Sequence, residues 1–403
     1  CSYNRTMIRI ERKEDCCGCS ACAAACPVHC IALKEDDEGF RYAKADPARC
    51  TECGLCERVC PMLNRQPGRR EEARVYAVRN RDEAVRSTSS SGGLFSLLAG
   101  ETLAAGGTVF GARFDERFDV VHDGAETAGE AIRFRGSKYV QSDTGGCYPR
   151  VREALRQGRP VLFSGTGCQI AGLKGFLGRD YPSLTCAEVA CHGVPSPAVW
   201  HRFLAEQRAE AEKTAGAPAR LERFSFRDKS GGWKRYRVTA HYRGPQGETT
   251  LSEPFYRNAF MRGFLRNLFI RPCCHACPVK NFASGADLML ADYWGVDRCH
   301  PDMDDDRGTS LAVTLTPRGE DALHAVESRT VAVPSTLGCA LAMNRAIVRS
   351  EPRPAARELF FERLRHESVT AAVARLTRTP LLKRLRRRAG KLAARLGLKT
   401  GNR

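Results

Sequence analysis

No run in the 403-residue sequence approaches the ~18 consecutive apolar residues that a membrane-crossing helix needs. The N-terminus has no secretory signal pattern, and the chain starts at Cys1 rather than Met, so an upstream truncation is expected. Neither a Gly-x-Gly-x-x-Gly fingerprint nor a Walker sequence is present, so a Rossmann or P-loop nucleotide site is unsupported. There is no low-complexity segment and no nucleic-acid recognition module. Acidic residues are absent after Glu367. The eleven Lys and Arg residues beyond it supply more than half of the +18 net charge. The charge is therefore a property of the tail, and no nucleic-acid partner is expected.

Cysteine, by contrast, is abundant, at twenty residues. Thiols in that number point to a reducing cytoplasm. Eight of them repeat one spacing, Cys16-x-x-Cys19-x-x-Cys22-x-x-x-Cys26-Pro27 and Cys50-x-x-Cys53-x-x-Cys56-x-x-x-Cys60-Pro61. Three cysteines at i, i+3 and i+6 on a tight loop converge on one face of a cubane. The fourth starts a helix, points away and ligates the other cluster. Cys16, Cys19, Cys22 and Cys60 are therefore assigned to one [4Fe–4S] cluster, and Cys26, Cys50, Cys53 and Cys56 to a second. Zinc prefers two separated pairs, and disulfide frameworks belong to short secreted chains. Cys17 and Cys30 fall outside the pattern and read as packing thiols.

The rhythm along the chain divides it. Residues 8–65 read as the ferredoxin-type α+β module, and a polar connector follows at Gln66. From residue 74 strands and helices alternate, which implies an α/β core with a mixed, largely parallel sheet. Two parts, 74–158 and 159–335, make up this core. Within it, residues Phe224 to Leu251 alternate as antiparallel strands. Residues 336–403 read as a helical, basic tail. In that tail Leu382, Leu385, Ala389, Leu392 and Leu396 form an apolar stripe among cations, suited to peripheral membrane contact or an acidic partner.

Four further cysteines stand where ligands usually stand. Cys168 and Cys191 each follow the carboxyl end of a strand, the edge where α/β folds place their sites. Cys274 and Cys277 form a Cys-x-x-Cys pair on a loop. Together they supply enough thiolates for a third [4Fe–4S] cluster; spacing alone leaves zinc or core thiols open. The turn Ser89–Gly93 opens a helix with successive N–H groups and hydroxyls, suited to a pyrophosphate or simply a capped turn. Lys138 reads as a charge near phosphates or as a solvated lysine. Ser164-Gly165-Thr166 ends a strand and offers backbone to a ring.

Ser89-Ser90-Ser91-Gly92-Gly93-Leu94-Phe95, Gly136 to Ser142, Phe163 to Leu173, Cys191 to Ser196, Phe226 to Lys229 and Asp292 to Gly295 together resemble one family. It is the beta subunit of coenzyme F-420-reducing hydrogenase and its dehydrogenase relatives. The resemblance covers roughly residues 74–316. It implies an oxidoreductase that holds FAD beside a [4Fe–4S] cluster, with Cys168, Cys191, Cys274 and Cys277 as its ligands. For the flavin it points to Ser90, Ser91, Gly92, Gly93, Lys138, Ser164, Gly165 and Thr166. Gly167 stands where relatives often have proline, and Cys273 where they often have serine, so Cys273 competes as a ligand. The reading is an iron–sulfur flavoprotein that passes electrons between a two-electron carrier, such as a deazaflavin or another small molecule, and a ferredoxin or other redox subunit. The alternatives are a non-catalytic electron-transfer subunit or a reductase of another small molecule or glycan precursor.

Overall fold

The computed structural model describes residues 7–378. The apolar stripe and basic cluster expected beyond Pro380 lie outside the described residues.

The N-terminal module is small. β1 (Ile31–Glu35) and β2 (Arg41–Ala45) form an antiparallel hairpin. Two short helices, Ala21–Ala25 and Leu55–Arg58, follow the two cysteine loops. Its buried apolar cluster consists of Ile8, Ile31, Ala43 and the thiols of Cys22, Cys26, Cys30, Cys56 and Cys60. Residues 63–72, after the module, are exposed.

The main domain is built on one eight-stranded sheet. In chain order its strands are β3 (Arg74–Asn80), β4 (Thr108–Phe114), β5 (Val120–Ala125), β6 (Val161–Gly165) and β7 (Leu184–Val189). A separate three-stranded antiparallel sheet interrupts the order: β8 (Arg220–Asp228), β9 (Arg237–Gly244) and β10 (Gly247–Pro254). β11 (Leu288–Asp292), β12 (Ser310–Thr314) and β13 (Thr330–Ser335) then return to the large sheet. Its order is β13-β3-β12-β11-β7-β6-β4-β5. β4, β6, β7 and β11 run parallel at the centre, and the flanking pairs are antiparallel. The sheet is thus mixed, with strands from both expected parts of the core in one layer. β6, buried along its whole length, is the short apolar run expected of a central parallel strand.

The parallel register brings the ends of β6, β7 and β11 to one edge. β12 begins there and β3 ends there, because Ser310 pairs with both Asp292 and Val78. Everything proposed as a site in the main domain hangs from this edge. The helix Gly167–Leu177 leaves β6 and packs on the helix Ala21–Ala25 of the N-terminal module. Among the described residues no helix is long and apolar enough to cross a membrane. One pair of cysteines, Cys299 and Cys339, is joined as a disulfide, whereas the cysteine content alone implies reduced thiols throughout.

Candidate functional site

The N-terminal loops place their cysteines in two groups. Cys26, Cys50, Cys53 and Cys56 line one cavity, together with Val28, Cys30 and Ile31. Cys53 is the exposed member. Cys22 lies close to Cys16 and Cys60; burial first, then those two neighbours, push its pKa up to about 12. Gly18 and Gly54 sit within the loops at φ +70 and +69, where a side chain would strain the turn. Cys30, expected as a packing thiol, faces the second group: its Sγ is 3.4 Å from that of Cys26.

Cys168 lies in the first turn of the helix Gly167–Leu177, Cys191 on the loop after β7, Cys274 in the short helix Pro272–Ala276 and Cys277 at the end of that helix, before β11. Burial, then Cys274, Cys168 and Cys277, raise the pKa of Cys191. Burial and the thiols of Cys168 and Cys274 push Cys277 up to about 12. Cys274 is the exception, lowered to about 7 by a hydrogen bond from Cys273. Cys273 is buried beside Cys274. Thiols so buried and so close together ionise only beside a cation, so the chemistry of the donor set fits an iron–sulfur cluster. A cubane takes its thiolates at its corners and not around a point. Among the described residues, no three or more His, Cys, Asp or Glu side chains are placed to hold a single metal ion.

The two thiol-rich regions are pressed together. Cys17 and Cys19 belong to one buried cluster, and Cys168 packs against it. A Cβ on Gly172, one turn beyond Cys168, would lie 2.8 Å from Cys19 Sγ. Only glycine lets the helix come that close. Arg271 Nε donates to Cys16 O (2.8 Å), Nη1 to Gln141 Oε1 (3.0 Å) and Nη2 to Arg41 O (2.9 Å). Thr144 Oγ1 donates to Cys19 O at 2.9 Å. At the far side, Arg357 grips Glu38 with both terminal nitrogens, at 2.8 and 2.6 Å. Nothing in the local sequence marks Arg271 or Arg357, because their partners are distant backbone or a distant hairpin.

The residues expected around a flavin gather on the same sheet edge. Ser90 Oγ accepts from Ser137 N (2.7 Å) and Ser137 Oγ (3.0 Å). Ser91 Oγ donates to Thr309 O, and Gly92 N donates to Ser310 Oγ. A Cβ on Gly92 would lie 2.4 Å from Val78 O and 2.6 Å from Ser310 N. The sheet itself thus demands that glycine. Gly93, at φ +85, caps the helix Leu94–Ala104. Lys138 Nζ donates to Arg133 O and Arg135 O, and burial pulls its pKa down to about 7. Ser164 is buried with its carbonyl toward His122, and Thr166 precedes the helix that carries Cys168.

Above the turn sits a buried ion pair that sequence reading does not single out. Arg227 contacts Asp292 at 2.6 and 3.2 Å, Ser90 O at 3.3 Å and Tyr139 Oη at 3.2 Å. Its guanidinium lies over Tyr236, and Trp233 stacks on Trp294 at 4.6 Å. Lys229 Nζ donates to the carbonyls of Arg86, Ser91 and Arg307, with its pKa lowered to about 8 by burial and by Arg86 and Arg227. Both residues lie in the Phe226–Lys229 segment, one of those that carry the resemblance.

Known proteins agree with this architecture. The family described as the carboxyl-terminal region of the coenzyme F420 hydrogenase/dehydrogenase beta subunit matches residues 158–336. The 4Fe-4S dicluster domain matches residues 15–63. Residues 158–336 belong to the coenzyme F420 hydrogenase/dehydrogenase beta-subunit family. The chain also carries an N-terminal 4Fe-4S dicluster domain and is an iron–sulfur protein of oxidoreductase type. A curated relative, the 7Fe ferredoxin of Hydrogenibacillus schlegelii, is 37% identical over 65 residues, covering 16% of this chain and 77% of the relative. Among solved structures, the F420-reducing [NiFe] hydrogenase complex from Methanosarcina barkeri includes a similar chain, at 16% identity and a TM-score of 0.44. That likeness covers 67% of this chain and 82% of the other, and at that score it carries no further weight.

Proposed function

We propose that the chain is the electron-input subunit of an iron–sulfur flavoenzyme. It exchanges electron pairs with a deazaflavin-like carrier and single electrons with a ferredoxin or another redox subunit. The observation that supports this reading most is the packing of Cys168 against the buried cluster of Cys17 and Cys19, with Gly172 of the same helix close against Cys19 Sγ. It puts the third thiol set directly against the first ferredoxin cluster site. The site of Cys16, Cys19, Cys22 and Cys60 is then the inner relay. That of Cys26, Cys50, Cys53 and Cys56, with Cys53 exposed, is the outer exit.

FAD, when bound, supplies the conversion between electron pairs and single electrons that cubane clusters lack. Of the eight residues expected to hold it, Ser90, whose hydroxyl accepts from Ser137 and keeps its own proton to donate, suits the role best. Ser91 and Gly92 already serve Thr309 and Ser310. Arg227 and Lys229 hold the Ser90–Ser91 turn in place from β8 and the loop after it, and Cys273 supports Cys274. The compartment that suits these thiols is the cytoplasm.

The engagement of Ser91 and Gly92 also favours a second reading, a non-catalytic electron-transfer subunit. Anaerobic protein assayed for flavin and for turnover with reduced deazaflavin, NAD(P)H and reduced ferredoxin separates the two. One FAD per chain with turnover of a two-electron carrier supports the proposal. Protein without flavin that only relays electrons supports the second reading.

A further inference from the structure

We infer that the hydroxyl of Thr166 is a built-in hydrogen-bond donor to the thiolate of Cys168 and raises the potential of the cluster that Cys168 holds. The inference rests on the third-cluster reading above. Its ground is a chain of buried side chains whose direction is fixed at the far end.

That end is His122, stacked on Phe163 with centroids 5.5 Å apart. His122 Nε2 lies 3.0 Å from Ser164 O. A carbonyl only accepts, so Nε2 carries the proton. Burial pulls the pKa of His122 down to about 4, so the ring is neutral and Nδ1 is a bare acceptor. Ser142 Oγ, 2.9 Å from Nδ1, must then donate to it. With its one proton so placed, Ser142 Oγ accepts from Gln169 Nε2 at 2.7 Å. This fixes the amide, and Oε1 faces Thr166, accepting its backbone N–H at 2.9 Å.

Thr166 has one hydroxyl proton and two acceptors, Gln169 Oε1 at 3.1 Å and Cys168 Sγ at 3.3 Å. The amide oxygen already accepts from the Thr166 backbone. A thiolate carries charge and draws the proton more strongly. Once Cys168 is a ligand, the hydroxyl therefore turns to sulfur. A hydrogen bond to a ligating sulfur withdraws electron density and favours the reduced cluster. His122, Ser142 and Gln169 act only through Thr166 and are positioning residues.

The test is an EPR-monitored redox titration of the anaerobic full chain, with iron content measured on each sample. Thr166→Val is expected to lower the midpoint of the third cluster, and Thr166→Ser to restore it. Ser142→Ala, two links away, should lower it by less. The ferredoxin-cluster midpoints should stay in place throughout. An unmoved midpoint in Thr166→Val with all three clusters present overturns the inference and leaves the third cluster standing. So does an equal shift in Thr166→Val and Thr166→Ser. If Thr166→Val does not assemble the cluster, an unchanged midpoint in Ser142→Ala overturns the inference. Wild-type protein holding only the two ferredoxin clusters overturns both.

Discussion

The N-terminal module gathers its eight expected ligands between Cys16 and Cys60, on two loops, two short helices and a hairpin. The third set draws Cys168 from the helix after β6, Cys191 from the loop after β7 and the Cys274–Cys277 pair from the segment before β11. The first region has almost nothing else inside it, since most of its buried cluster is thiol. The main domain has two apolar clusters of its own, filled by residues such as Trp200 and Leu94, and a third, around Phe163 and Leu311, that it shares with Cys17, Ala21 and Val59 of the module. A module that buries thiols in place of a hydrocarbon core depends on its metal for folding. A domain with a full core does not, and its cysteines are guests at the edge of a finished sheet.

The largest effect expected follows directly. Iron chelation should abolish hydrogen-exchange protection in β1 and β2 while β6, β7 and β11 stay protected. Simultaneous loss of protection in both regions would show that the main domain leans on its neighbour's metal. Next in size is Arg227→Met, which leaves Asp292 half-sealed and unpaired at the sheet edge; removing one partner of a buried pair costs about 4 kcal/mol. Denaturant unfolding followed by near-UV signal from Trp233 and Trp294 measures it. A change below about 1 kcal/mol would place the pair among solvent-screened ones.

Glu188 gives a pH-dependent effect confined to the main domain. It is buried at the end of β7, and burial raises its pKa from 4.5 to about 7, opposed by Ser284 and Lys280. Its folded pKa exceeds the unfolded one, so its contribution is full below pH 4.5 and is lost as pH rises through about 7. Relative to Glu188→Gln, the wild type should lose up to about 3 kcal/mol across that window. A constant difference between the two proteins would contradict the assignment. The smallest effect is Arg243→Ala. Its partners Glu222 and Glu248 are exposed and solvent-screened, so the denaturation midpoint should stay where it is in the wild type.

The same contrast explains what is legible in the sequence. Ligands three and four residues apart sit on one loop, so the ferredoxin module can be read from spacing alone. Cys168 and Cys191 show as strand-end residues because short apolar runs precede them, yet their meeting with Cys274 depends on sheet order. The parallel centre of the mixed sheet is legible. The antiparallel flanks, where β12 and β13 return beside β3, are not, because strand periodicity does not encode neighbours. Cys17 looks like a spare thiol in the sequence, although it shares a buried cluster with Cys19 against which Cys168 packs. Arg271, Arg357 and His122 carry no signal, since each acts on partners more than forty residues away or on backbone carbonyls. The Gly92–Gly93 pair reads as a ligand cradle, but Gly92 is also required by Val78 and Ser310.

The central claim is that a third cluster sits against the inner ferredoxin cluster. Iron per chain in anaerobically prepared protein, compared with Cys191→Ser, tests it most directly. The account predicts about twelve irons, falling to about eight in the variant, as three and two cubane clusters require. About eight irons in both proteins, with or without zinc at Cys274 and Cys277, would contradict it.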